Sequence, residues 1–474
     1  MKDQRKVRSV DVAIIGAGTA GLAAFRAAAA LTPRVMIVEG GVYGTTCARV
    51  GCMPSKLLIA AADAAHEARE AEGFGIRTSV HVDGRAVMDR VKGERDRFVD
   101  LVMAGVAKIP DDQRLTGRAR FVEPGVLDVG GVVVRARAIV LATGSSPARP
   151  TSLSAAQDRL VVNDDVFAWD DLPDSIAVVG AGVVGLELGQ ALHRLGVRVR
   201  ILGKGGSVGP LTDPVVSAAA LRAFSAELAI DFDVQSLKGE RLGDRVAIHW
   251  RGHDGVSHTE SFAYVLAAAG RKPNLAGLDV ERSGIELDPS GRIASDRNTT
   301  QIGTTNVFLA GDAADDAPLL HEAADEGSIA GDNAAHFPVV SSRPRRSPLA
   351  IVFTDPQVAI AGERFSSVSA ARDQVAFGEV QFENQGRSRV MRKNRGAARV
   401  YVDRSSGRFM GAEMAGPRAE NIGHLLAWAH QQRLTVDQML QMPFYHPVVE
   451  EGIRTALRDA KDKCSLAPTT RANA

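Results

Sequence analysis

Two cysteines five positions apart, Cys47 and Cys52, are the residues of this chain whose type and spacing point most directly to chemistry. They stand in Gly44-Thr45-Thr46-Cys47-Ala48-Arg49-Val50-Gly51-Cys52-Met53-Pro54-Ser55-Lys56. On a regular helix residues i and i+5 point about 140° apart, too far round for the roughly 4.4–6.8 Å Cα separation of a disulfide. The pair can bridge only if the backbone between them leaves helical geometry. Gly51 makes that easy, and Pro54 suits the first turn of a following helix. A thiolate at that helix N-terminus, near Arg49 and Lys56, is expected to have a lowered pKa. The competing readings are a metal pair and two inert buried thiols. Structural zinc asks for four ligands, and no second Cys/His pair at matching spacing accompanies this one, so no metal is expected. The third cysteine, Cys464, reads as an unpaired thiol. Three cysteines are too few for a disulfide-stapled secreted fold, and two set close together suggest redox work.

Exchange between thiols and disulfides needs a proton acceptor, because only the thiolate attacks. Histidine titrates in the useful range, and a carboxylate orients it and stabilises its cation. Near the C-terminus, Phe444-Tyr445-His446-Pro447-Val448-Val449-Glu450-Glu451 sets one histidine beside two acids. On these residues alone a solvated surface histidine is the plainer reading.

These groups need elements to hold them. Residues 10–15 form an apolar run, followed by Gly16-Ala17-Gly18-Thr19-Ala20-Gly21, an Ala-rich helix to about Ala30, and a strand over 34–38 closed by Glu39. The same grammar recurs: a run at 176–179, Gly180-Ala181-Gly182-Val183-Val184-Gly185, a helix to about Leu195 and a strand over 197–202. In a G-x-G-x-x-G turn the first glycine allows the turn, the second lets backbone approach a pyrophosphate, and the third lets helix pack on strand. The helix N-terminus then offers free N–H groups to phosphate. An acid about 20 residues on serves the ribose; Glu39 stands at that offset. In the second unit the offset falls on Gly203, with Lys204 next, so from the residues alone this site leans to a 2′-phosphorylated nucleotide. Two such units imply two doubly wound α/β domains.

Further strands are expected at 138–142, ending in Thr143-Gly144, at 265–269, before Gly270-Arg271-Lys272-Pro273-Asn274, and at 307–310, ending in Gly311-Asp312. Residues 145–173 read as a domain connection. Alternating strands at 398–402 and 409–414, with a helix after Asn421, suggest a third, α+β domain, and the tail from Leu466 reads as disordered. Lys+Arg 57 against Asp+Glu 56 argues against nucleic acid as partner. No run reaches the ~20 apolar residues of a membrane span, and the charged first ten residues leave no secretory segment. A cytoplasmic protein is expected.

As a set, G-x-G-x-x-G, G-T-T-C-x-x-x-x-G-C-x-P-S-K, A-T-G, a second G-x-G-x-x-G, G-R-x-P-N, A-G-D and H-P-x-x-x-E occur in an order that resembles the pyridine nucleotide–disulfide oxidoreductases, nearest the dihydrolipoamide dehydrogenase group. The resemblance covers nearly the whole chain. It implies an FAD-binding domain over 1–150 completed by 280–346, with Gly16, Gly18, Gly21, Glu39, Thr46, Thr143, Gly144 and Asp312 at the cofactor. It implies an NAD(P)-binding domain over 151–279, with Gly180, Gly182, Gly185, Lys204, Gly270 and Arg271, and a dimerisation domain over 347–474. Cys47–Cys52 would be a redox-active disulfide, Cys52 lying against the flavin and Cys47 exchanging with substrate. Lys56 would pair with Glu187 beside the flavin, and His446 with Glu451 would act as the base in a site shared between the subunits of a homodimer. Phe444 departs from the group, which commonly has a second histidine there. His321, in Pro318-Leu319-Leu320-His321-Glu322-Ala323, reads as structural or flavin-adjacent.

The implied reaction is dihydrolipoamide + NAD⁺ ⇌ lipoamide + NADH, with a 2-oxoacid dehydrogenase complex as partner. The alternative is an NADPH-dependent reductase of a small disulfide such as glutathione disulfide, which Lys204 favours. A mercuric reductase would need a second C-terminal cysteine, and only Cys464 is there. The intact dithiol, base and nucleotide turns weigh against a purely scaffolding subunit.

Overall fold

The structure is a computed structural model that describes residues 6–289 and 291–465. The expected disordered tail lies outside the described residues.

The first unit is built on a seven-stranded sheet. β1 (Val7–Ile15) is buried over its second half and leads through the glycine turn into α1 (Thr19–Ala29) and then β2 (Val35–Glu39). β1 pairs in parallel with β2 on one side. On the other it pairs with β3 (Val132–Leu141), whose apolar end is buried on both faces, as parallel strands in a doubly wound sheet are. An antiparallel meander of Ala119–Glu123 and Val126–Val129 extends the sheet beyond β3. The chain returns much later: Val307–Leu309 adds in parallel to β3. Leu320–His336, the helix that follows, crosses α1 at close range. Cβ atoms on Gly327 and Gly331 would lie 2.1 and 2.2 Å from the carbonyl oxygens of Ala20 and Ala24, so only small residues allow this crossing.

The second unit repeats the grammar. β4 (Ser175–Val179) leads through the second glycine turn into α4 (Val183–Arg194) and β5 (Arg198–Leu202), labels that follow α2 (Thr46–Val50) and α3 (Cys52–Glu70) of the first unit. Its sheet is parallel throughout and runs Ile230–Asp231, β5, β4, Tyr264–Ala267, Leu160–Val161. The stretch 145–173, expected to be a connection, therefore supplies an edge strand of this sheet. A three-stranded antiparallel sheet, Ser236–Leu242, Arg245–Arg251 and Ser257–Phe262, is inserted between β5 and the return strand.

The third unit is a five-stranded antiparallel sheet, in the order Leu349–Val352, Gln357–Gly362, Phe409–Gly416, Ala397–Asp403, Val375–Gln381. Helices Ala419–Gln431 and Glu451–Ser465 cover its apolar face. The expected helix begins two residues before Asn421. A buried polar contact ties this unit to the second. Glu413, fully buried, accepts the Thr212, Asp213 and Phe365 amides at 2.7, 2.9 and 2.9 Å. Two parallel-sheet nucleotide folds with a C-terminal α+β unit are the architecture. Among the described residues no helix is long and apolar enough to cross a membrane.

Candidate active site

The two glycine turns are superimposable in their chemistry. Gly16 and Gly180 have φ of +102° and +119°, in the region that only glycine enters freely. A Cβ on either would also lie 2.3 Å from the carbonyl oxygen at the end of the neighbouring strand, Ala142 or Ala268. The third glycines, Gly21 and Gly185, would bring a Cβ to 1.8 and 1.9 Å from the carbonyl of the first. The middle glycines, Gly18 and Gly182, face open space. Each turn is thus packed closely against the end of the neighbouring strand, while its middle glycine stays open. Gly21→Ala is expected to destabilise the protein by ~1–3 kcal/mol or more through overpacking and to release bound nucleotide, read as lost flavin absorbance in the purified protein and a lower Tm.

Glu39 accepts the Ala17 and Gly41 amides at 2.7 Å each, so its carboxylate is fixed beside the first turn. The Thr143 hydroxyl oxygen is buried and meets no hydrogen-bond partner among the described residues. A buried hydroxyl left without a partner is costly, and a polar cofactor beside Thr143 and Gly144 would supply one. These observations fit a dinucleotide such as FAD. Asp312 accepts from the Ser145 hydroxyl at 2.6 Å. Arg271 donates to that same hydroxyl and to the Ser145 carbonyl, both at 2.7 Å, and Asn274 bonds the Thr143 carbonyl at 3.0 Å. Gly270 and Arg271 therefore join the first unit here, and the recorded partners of Arg271 are protein groups near Asp312. Ser145 and Asn274 were not singled out from sequence.

At the second turn, Gly203 is buried. A Cβ there would lie 2.8 Å from Ala181 Cβ and 3.0 Å from the Phe232 carbonyl, so the position has no room for an acid. Lys204 follows it, exposed.

Cys47 is the second residue of α2 and Cys52 the first of α3. Thr45 caps α2 by accepting the Ala48 amide at 3.2 Å, with Thr46 exposed in the first turn. At Gly51 (φ −128°, ψ −115°) the backbone leaves helical geometry, and α3 starts at Cys52. The break folds the two side chains toward each other, and the unbonded thiols share a hydrogen bond. That bond, opposed by burial and assisted by the Lys56 ammonium, pulls Cys52 down to about 7. Its counterpart pushes Cys47 up: the hydrogen bond to Cys52 comes first and burial second. Of the two sulfurs, Cys52 is therefore the one favoured as thiolate and Cys47 the one favoured as thiol.

Lys56 Nζ donates to Glu187 Oε2 at 2.8 Å, bridging α3 and α4. Glu187 is 5% exposed, and its other oxygen accepts the Phe353 amide at 2.9 Å. The Phe353 ring lies 4.6 Å from the ammonium. The Lys56 side chain is 32% exposed, so removing it costs less than the about 3–5 kcal/mol of a fully buried pair. Asn163, another residue sequence reasoning did not mark, donates to the Val50 carbonyl at 2.8 Å and steadies the segment between the sulfurs. No local pattern announces either contact.

His446 Nδ1 lies 3.0 Å from Glu451 Oε2, and the imidazole is 81% exposed. Burial opposes ionisation of Glu451, but the Val448 amide, His446 and Arg454 hold its carboxylate below the ordinary range. Among the described residues no hydrogen bond or ion pair joins this couple to the cysteines of its own chain. Tyr445, at 80% exposure, and Trp428, at 64%, are large apolar side chains of the third unit left exposed. His321 is exposed in the first turn of Leu320–His336, 3.9 Å from Glu322. Cys464 is half-buried beside the core of the third unit.

Comparison with known proteins gives the following. The family model described as pyridine nucleotide-disulphide oxidoreductase matches residues 10–327, and the dimerisation domain of the same family matches 349–457. The dihydrolipoyl dehydrogenase of Haloferax volcanii is 29% identical over 95% of this chain and 96% of its own length. A mercuric reductase of Shigella flexneri is 30% identical, covering 94% of this chain and 80% of that protein. The solved structure of LpdA from Mycobacterium tuberculosis superposes with a TM-score of 0.80 at 26% identity, over 95% of this chain and 99% of that one.

Proposed function

The chain belongs to the pyridine nucleotide-disulphide oxidoreductases, and from that premise we propose that it is a dihydrolipoyl dehydrogenase, oxidising dihydrolipoamide with NAD⁺ through Cys47 and Cys52. Its cofactors are FAD and a pyridine nucleotide, and it is a homodimer. The observation that carries the reading is the placement of Cys47 and Cys52 across the helix break at Gly51, with the Lys56–Glu187 pair one turn on from Cys52, surroundings that favour the thiolate at Cys52 and the thiol at Cys47.

In the forward direction a substrate thiolate attacks Cys47 Sγ of the disulfide, and Cys52 leaves as the thiolate its surroundings favour. The second substrate thiol then attacks the mixed disulfide, releasing Cys47 and closing lipoamide. Each attack needs a proton taken from a thiol. His446 of the partner subunit is assigned that proton, with Glu451 steadying the imidazolium; its exposure and the lack of contact with its own cysteines support a role across the dimer. Lys56 holds the charge of Cys52, and Glu187 holds Lys56. FAD, held by Gly16, Gly18, Gly21, Glu39, Thr46, Thr143, Gly144 and Asp312, would take two electrons from the thiol pair and hand a hydride to the nicotinamide.

The three units carry three tasks. Residues 1–150 with 280–346 hold FAD, which the return of Val307–Leu309 to the first sheet supports. Residues 151–279 hold the nicotinamide nucleotide through Gly180, Gly182 and Gly185, and 347–474 form the dimer interface. A lipoyl-bearing 2-oxoacid dehydrogenase complex is the partner such an activity serves.

A second reading has a specific observation behind it: at Gly203 packing excludes the ribose-binding acid, and Lys204 is exposed beside it. That favours NADPH and a small disulfide such as glutathione disulfide. Initial rates decide. With NADH and lipoamide, kcat/KM is expected to exceed that with NADPH or glutathione disulfide by tenfold or more, roughly 1.4 kcal/mol; the reverse order would replace the first reading by the second.

A further inference from the structure

Arg194 ends α4, and only 4% of its side chain is exposed. Three carboxylates from three segments surround its guanidinium. Nη1 donates to Asp63 Oδ1 of α3 at 2.9 Å, Nε and Nη2 donate to Glu227 at 2.6 and 3.0 Å, and Nη2 reaches Asp355 Oδ2 at 3.2 Å. Arg69 donates to its carbonyl, while His66 and Lys393 stand at the edge of the cluster. Buried ion pairs seldom add net stability over apolar packing, so the arrangement calls for another account.

That account lies in the residues that share its face. Glu187, Gln190 and Arg194 recur at i, i+3 and i+7 on α4, and Lys56 and Asp63 at i and i+7 on α3; each set lies along one helix face. The helices run side by side in the same direction, joined by two rungs about 10 Å apart: Lys56–Glu187 at one level and Asp63–Arg194 two turns on. Residues 353–355 are laid along this ladder. Phe353 N donates to Glu187, Asp355 N donates to Gln190 Oε1 at 2.8 Å, Gln190 Nε2 returns a bond to the Asp355 carbonyl at 2.8 Å, and the Asp355 carboxylate meets Arg194. The groups that face Cys52 are Cys47, Lys56 and Glu187. Two of those three are fixed by the ladder, and Arg194 closes its far end.

We propose that Arg194 is a positioning residue: by clamping Asp63 and Asp355 it fixes the spacing of α3 against α4 and holds the Lys56–Glu187 pair at the Cys52 end of α3. The inference rests on the roles given above to Cys52 and Lys56. Lysine at 194 would keep the charge, but a single ammonium lacks the planar fork that serves three carboxylates at once.

The test uses the full-length reduced holoenzyme and the pH dependence of Cys52 alkylation by iodoacetamide, with the modified residue located by peptide mass. Wild type is expected to titrate near 7; an ordinary midpoint near 8.5 would sink the reading of Cys52 itself, a failure distinct from that of the inference. Given the wild-type result, Arg194→Lys is expected to raise the midpoint by about half a unit, roughly threefold in the thiolate-to-thiol ratio. In a Lys56→Met background the same substitution should leave the midpoint where it is, because the effect passes through Lys56. A lowered Tm with an unmoved midpoint, or an equal shift in both backgrounds, would overturn the proposal. Should Arg194→Lys fail to fold, Asp63→Asn breaks the same rung while Arg194 keeps Glu227 and Asp355. It should shift the midpoint upward by a smaller amount, and no shift would count against the proposal.

Discussion

Cys52→Ser is expected to lower dithiol–disulfide turnover by about 10⁴-fold or more, since catalytic groups that act as a unit fail together. A serine hydroxyl neither bonds to Cys47 nor carries negative charge at neutral pH, so both the disulfide and the stabilised anion disappear. Cys47→Ala should abolish turnover equally but leave a reactive thiol at Cys52, and the difference between the two variants is informative. The strongest influence lowering Cys52 is the hydrogen bond from Cys47, with Lys56 behind it. Without Cys47 the Cys52 midpoint should climb from about 7 toward the ordinary value near 8.5, stopping short because Lys56 remains. Alkylation rates below pH 7 should therefore fall, and the rate-against-pH curve should move to higher pH. Turnover surviving in Cys52→Ser, or an unmoved midpoint in Cys47→Ala, would refute the division of labour between the two sulfurs.

What could be read without coordinates was what depends on local chemistry. Gly16 and Gly180 were legible because a positive φ beside a strand end excludes every other residue type, and the spacing of each turn repeats that requirement. The cysteine pair was legible because five positions across one glycine already limit where two sulfurs can go. The meeting of distant elements was not legible. The Lys56–Glu187 pair was reached only through the family resemblance, and the Phe353 contact of Glu187 had no signal at all, since nothing in its own helix says which face meets them. The strand Leu160–Val161 is too short to show a period, so a stretch that helps build the second sheet read as a linker. The inserted sheet between Ser236 and Phe262 alternates too irregularly in burial to stand out. Gly203 illustrates a subtler limit. Its missing carboxylate was visible, but the reason, Ala181 Cβ and the Phe232 carbonyl 2.8 and 3.0 Å from where a side chain would begin, belongs to residues elsewhere in the chain.

His446→Ala should lower turnover by about 10²–10⁴-fold, the usual worth of a positioned acid–base group, while leaving the alkylation midpoint of Cys52 unchanged. The more searching result concerns mixtures. If each site takes its cysteines from one subunit and its base from the other, His446→Ala and Cys47→Ala homodimers are both inactive. A heterodimer of the two then contains one site with both defects and one site with neither. Random reassociation of equal amounts makes about half the dimers hybrid, each with one working site of two, so activity should return to about a quarter of wild type. A base acting on the cysteines of its own chain gives the opposite result: every site in the hybrid carries one defect, and mixing restores nothing. The exposure of His446, its anchoring by Glu451 at 3.0 Å and the exposed Tyr445 and Trp428 side chains of the same unit favour recovery. Recovery that appears only after subunits are dissociated and reassociated, and not on simple mixing of intact dimers, would assign it to the shared site rather than to contaminating wild type.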